Sequence, residues 1–79
     1  MIIKTTEQKI RDAGWDHYIY EPGYFFKEIS GVKVDLVEEE YEEHQDGKAS
    51  NYEVHLYEDP DSPDGLIAIA SELKKLEVK

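Results

Sequence analysis

Two runs of alternating apolar residues constrain this chain most. Val32, Val34 and Leu36 form one run, and Tyr52, Val54 and Leu56, alternating with Glu53, His55 and Tyr57, form the other. A period of two places each apolar set on one side of a strand. Asp46-Gly47 lies between the runs and is a turn signal, so residues 32 to 43 and 51 to 58 are predicted to form a hairpin with one buried face. Val37 breaks the alternation. A bulge at Leu36 and Val37 accommodates it, with Val37 and Tyr41 continuing the core face and Glu38, Glu40 and Glu42 turned to solvent.

A half-buried hairpin needs a cover, and the C-terminal segment supplies one. Ser62 suits an N-cap, Pro63 the first helical position and Asp64 the first turn. Leu66, Ile69, Ala70, Leu73 and Leu76 then recur as an apolar stripe, with Lys74 and Lys75 at the negative end of the helix dipole. A shorter helix is predicted after Thr5, which has Gln8 as a capping-box partner and Gly14 as a stop. Its inward face is Ile10 and Ala13, joined by Ile3. Tyr24 to Ile29 reads as a strand, preceded by a Pro22-Gly23 turn and a further short strand at Tyr18 to Tyr20. Ser30-Gly31 marks the next break. The expected fold is α+β in two layers: a three- or four-stranded antiparallel sheet with N- and C-terminal helices on one face, in α-β-β-β-α order. This order resembles that of the double-stranded-RNA-binding domain. The likeness is one of element order only, because the basic RNA-contacting residues of that family have no counterparts here.

With 79 residues and no cysteine, the chain has room for one core and no disulfide or thiolate to reinforce it, so residues 1 to 79 read as a single small acidic domain. The formal net charge is −10. Asp16 to Gly65 carries fifteen acidic residues against three lysines, whereas the two flanks hold six basic residues against four acidic ones. A negative surface repels nucleic acid and anionic lipid, so direct binding to either is disfavoured and basic proteins become the expected partners. No run approaches the ~18 apolar residues of a membrane span, and Met1 to Lys4 are not followed by the apolar stretch of a secretory signal. A cytoplasmic location is expected.

The densest chemical feature is the acidic run Glu38, Glu39, Glu40, Glu42 and Glu43, followed by Asp46, to which Glu53 adds. On a strand, alternate carboxylates lie about 6.7 Å apart, so the run makes a row of negative charge. Such a row suits a DNA mimic that occupies the basic groove of a nucleic-acid-binding protein or nuclease, and its mutual repulsion costs stability that plain solubility does not require. Small phage-encoded inhibitors of host defence nucleases are similar in composition, being short, acidic and free of cysteine. Nine aromatic residues exceed what so small a core hides; Tyr57 and one of Tyr18 or Tyr20 are expected to join the contact surface. The expected function is therefore an acidic inhibitor or adaptor that docks on a basic protein as a monomer or homodimer. The alternative is an accessory module that self-associates, its acidity serving solubility alone.

Catalysis and cofactors are not expected. The serines lack a nucleophile-elbow context, no glycine-rich phosphate loop exists, and carboxylates in a solvated cluster lack the contrasting environments that make an acid/base pair. His17, His44 and His55 match no zinc spacing, and Asp59 to Gly65 does not place glycine or the final glutamate where a calcium loop needs them.

Overall fold

The computed structural model describes residues 1 to 39 and 49 to 78. Among them β1 (Ile2–Thr5), α1 (Glu7–Asp12), β2 (Asp16–His17), β3 (Tyr24–Ile29), β4 (Val32–Glu38), β5 (Ser50–Leu56) and α2 (Pro63–Leu76) follow in order. The strands form one sheet in the order β1-β5-β4-β3-β2, and every neighbouring pair is antiparallel. The protein is thus α+β with five strands and a C-terminal helix. The β-α-β-β-β-β-α order replaces the expected α-β-β-β-α, and with it the likeness in element order to the double-stranded-RNA-binding domain.

Two boundaries account for the difference. Ile2 to Thr5, expected to lead into the first helix, instead pairs with Ser50 to Glu53 and buries Ile3 and Thr5 on one side. Ile2, Ile3 and Thr5 are β-branched, which costs rotamer freedom in a helix and suits a pleated surface. The cap consequently moves to Thr6, whose hydroxyl accepts from the Lys9 N–H at 3.1 Å. Gln8 closes no capping box; its amide donates to Asp12. The strand expected at Tyr18 to Tyr20 lies earlier, at Asp16–His17, and Ile19 and Tyr20 already belong to the turn that follows it.

Turn chemistry fixes the register of β3 against β4. Ser30 and Gly31 both have positive φ, 52° and 78°, and connect the paired residues Ile29 and Val32, as a two-residue hairpin turn with right-handed strand twist requires. Gly23 is needed for another reason. A Cβ there would lie 2.9 Å from the Cβ of Glu38, so a larger residue would push the turn off the end of β4. The bulge expected at Leu36 and Val37 is absent. β4 pairs without interruption from Val32 to Glu38, so Val37 lies on the opposite face from Leu36, and Glu38 turns to the helix side beside Tyr52. Tyr41 lies outside the described residues.

Both helices contribute to the same core. Ile10 of α1 and Ile69, Leu73 and Leu76 of α2 join Ile3, Trp15, Phe25, Val34, Leu36 and Tyr52 in one buried cluster. Fully burying a side chain such as Phe25 contributes about 1.5–3 kcal/mol, and this face supplies the cover that the alternating strands demanded. Leu66, in the first turn of α2, and Ala70, at the edge of the stripe, do not enter the core as expected. They are exposed, and Gly65 takes the inward position at the start of the helix. The Ser62 cap is as expected, its hydroxyl accepting from the Gly65 N–H at 3.2 Å. Lys27 ties the layers together by donating to the Ala13 carbonyl at 3.0 Å and to Glu72 at 2.8 Å. No helix among the described residues is long and apolar enough to cross a membrane.

Candidate functional site

The strand residues out of phase with the core define the site. Register places Asp16 of β2, Tyr24, Phe26 and Glu28 of β3, Lys33, Asp35 and Val37 of β4, Glu53 and His55 of β5, and Ile2 and Lys4 of β1 on the sheet face away from the core cluster. Tyr57 continues β5 along this side, its N–H donating to the Lys33 carbonyl at 3.2 Å. The face is not a bare polar surface. Asp35 is only 1% exposed, beneath a canopy of tyrosines.

Asp35 organises the centre. Its Oδ2 accepts from the Tyr57 hydroxyl at 2.8 Å and from the Tyr24 hydroxyl, and the two phenol oxygens lie 3.3 Å apart. Oδ1 is buried and makes no hydrogen bond among the described residues; the nearest cation is the Lys33 ammonium at 4.0 Å. Lys33 is itself ringed by aromatics. Its Nζ donates to the Tyr18 hydroxyl and stands 4.7 Å from the Tyr57 ring centre, 5.1 Å from that of Tyr18 and 5.2 Å from that of Phe26. All three distances are within the range at which a ring face attracts a cation. Tyr18 packs edge-on against Tyr24 at 4.4 Å and tilted over Phe26 at 4.5 Å, which fixes the start of the turn that carries Ile19 and Tyr20. Those two side chains are 83% and 93% exposed.

The protonation of the cluster follows from these contacts. The hydrogen bond to Asp35, then that to Tyr57, then burial push the Tyr24 phenol well above its ordinary range. The hydrogen bond to Tyr18 raises the Lys33 ammonium, against an opposing effect of desolvation. Both groups are shifted further from neutral pH, opposite to what a general acid or base needs. The arrangement is suited to holding charge and aromatic surface in fixed positions. Beside it, Tyr24, Asp35, Val37, His55, Leu56 and Tyr57 line a shallow depression of about 370 Å³.

Of the acidic residues singled out in the sequence, the described ones, Glu38, Glu39 and Glu53, do not share one row. Glu38 faces the helix side next to Tyr52, whereas Glu53 pairs in register with Val37 on the open face. Glu39 is exposed just past β4, its N–H bonded to the Asn51 carbonyl. Tyr57 is 58% exposed and sits at the centre described above. Glu40, Glu42, Glu43 and Asp46 lie outside the described residues. Among the described residues formal charge is spread evenly over the two faces. Asp16, Glu28, Asp35 and Glu53 stand against Lys4, Lys33 and the Met1 ammonium, which lies 3.7 Å from Glu53, on the open side, a net −1. On the helix side Glu38 balances Lys27, Glu7 and Asp12 balance Lys9 and Arg11, and Asp64, Glu72 and the α2 C-cap Glu77 exceed Lys74 and Lys75 by one, also a net −1. Sequence reasoning missed Asp35, Lys33 and Tyr24; the available signal was that Lys33 and Asp35 share a strand phase, opposite that of Val32, Val34 and Leu36. Among the described residues, no group of three or more histidines and carboxylates is placed to hold a metal ion. No protein-family model, curated protein or solved structure matches the chain.

Proposed function

We propose that this chain is a small protein-binding domain that offers its open sheet face to a basic partner, and that a nucleic-acid-binding protein or nuclease, whose own groove is basic, is the class of partner that fits. One observation carries this reading: the face left uncovered by the helices sets the exposed Tyr57 ring over the buried Asp35 carboxylate, in a chain of formal net charge −10. Aromatic anchors within an acidic surround give affinity at the centre and steering at the edge. Glu53 and Tyr57 belong to this surface, and the exposed loop acids Glu21, Glu39, Glu58, Asp59 and Asp61 add to the field. Inhibition by occupation of a basic groove is the mode such a surface supports.

The test is capture of partners from lysate on the immobilised chain at ~50 and ~500 mM salt, because shrinking the screening length weakens binding through exposed charge. The expected result is retention of basic proteins at low salt, their release at high salt, and their loss with Tyr57→Ser. Retention of the same proteins at both salts, or equally by the variant, contradicts the proposal. Salt-strengthened association of the chain with itself would instead support the self-associating accessory module.

A further inference from the structure

We infer that the depression on the open sheet face is an anchor pocket for the guanidinium of an arginine side chain, Asp35 at its floor and Tyr24 and Tyr57 as its walls; this rests on the proposed docking of a basic partner on that face. The chemistry of the lining selects the ligand. Tyr24 and Tyr57 both commit their hydroxyl protons to Asp35 Oδ2, so their phenol oxygens are left with acceptor lone pairs only. Asp35 Oδ1 is a further acceptor, buried without a hydrogen bond among the described residues, where buried polar atoms ordinarily have one. Lys33 does not supply it, since its ammonium stands 4.0 Å away and directs a proton to Tyr18. A floor made of acceptors calls for N–H donors.

Arginine fits better than lysine for two reasons. The guanidinium presents five donors in a planar fork that matches a carboxylate and its flanking oxygens, and it stacks on aromatic rings at less desolvation cost than an ammonium. Lys33 shows that the Tyr57 ring accepts a cation, its Nζ lying 4.7 Å from the ring centre. A depression of about 370 Å³, open to solvent, has room for one long side chain and not for a secondary-structure element. Val37 and Leu56 provide apolar lining for the methylene stem of such a side chain.

The experiment titrates the labelled full-length chain with Nα-acetylarginine amide, the neutral isostere Nα-acetylcitrulline amide and Nα-acetyllysine amide, following backbone amide shifts by NMR. The expected result is saturable shifts at Asp35, His55 and Tyr57 with a Kd of about 1–10 mM for the arginine probe, and binding at least ~10-fold weaker for the other two. Asp35→Asn should weaken the arginine probe by a similar factor. His55→Arg is the variant that tests the pocket without touching a buried group: His55 is exposed and in register with Asp35, so a resident guanidinium there should abolish the shifts in a folded chain. Equal binding of citrulline or lysine, shifts that do not saturate, or unchanged binding by His55→Arg overturns the pocket. Salt-sensitive capture of basic proteins without any arginine response overturns the pocket alone; an arginine response without such capture overturns the docking proposal and leaves the pocket standing.

Discussion

The two faces of one sheet obey different rules, and β4 shows both. Val32, Val34 and Leu36 point into the helix-covered core, where size and shape decide what is tolerated. Lys33, Asp35 and Val37, one step out of phase, point to the open face, where Asp35 is as deeply buried as the core residues but depends on named partners: Tyr24, Tyr57 and Lys33. Burial on the first face is achieved by a second layer of structure. On the second it is achieved by side chains of the same sheet, which leaves their outer surfaces free to meet something else.

Substitutions on either face break this contrast to different extents. Phe25→Ala, which opens a cavity in the covered face, should lower unfolding stability by about 3–5 kcal/mol in urea titration, and Leu36→Ala by about 2–5 kcal/mol. Asp35→Asn should cost less, roughly 1–3 kcal/mol, by weakening the acceptor for two hydroxyls. Tyr57→Ser takes one of the two hydroxyl donors from the buried Asp35 carboxylate and should cost roughly 1–3 kcal/mol, still less than Phe25→Ala because its ring is largely exposed. Ser62→Ala removes the α2 cap and should cost about 1 kcal/mol, a control that touches neither strand face. If Tyr57→Ser proved as damaging as Phe25→Ala, the open face would be a second core and the contrast would fail.

Alkaline pH sharpens the comparison. Tyr24 and Lys33 both have folded-state pKa values raised above their ordinary 10.0 and 10.5. Their protonated forms are therefore favoured by folding. The stability they contribute is fully present below pH ~10 and is lost as pH rises from there toward the folded-state values. Unfolding monitored by far-ultraviolet circular dichroism should show stability declining above that point, and Tyr24→Phe should flatten the decline. An unchanged slope in the variant would show that the Asp35 hydrogen bond does not hold the phenol proton.

The parts of the fold set by local period and turn chemistry are legible in the sequence. The pairing of residues in 32 to 38 with those in 50 to 56, the Ser62 cap and the strand from Tyr24 to Ile29 all follow from signals contained in a few residues. The β1 strand is not legible, because four residues with a threonine at either side of the boundary read equally as a helix entry; only pairing with Ser50 to Glu53 decides between them. Val37 is hard to place for a related reason. Its apolar side chain looks out of phase only as long as the second face is taken to be purely solvated. The centre at Asp35 is hidden because tyrosines from segments as distant as Tyr18 and Tyr57 converge around it and its neighbour Lys33, and such convergence leaves no local trace.

The central claim is that the open sheet face, and not the helix side, is the surface that meets a partner. The most direct measurement compares capture of basic proteins at ~50 mM salt by the wild type, Tyr57→Ser and Leu66→Ser, each shown by thermal unfolding to be folded. Leu66 is 54% exposed on α2 and Tyr57 58% exposed beside Asp35, so the two changes remove side chains of similar exposure from opposite sides of the molecule. Loss of capture with Tyr57→Ser and its retention with Leu66→Ser is the predicted result. Retention by Tyr57→Ser with loss by Leu66→Ser would contradict the account.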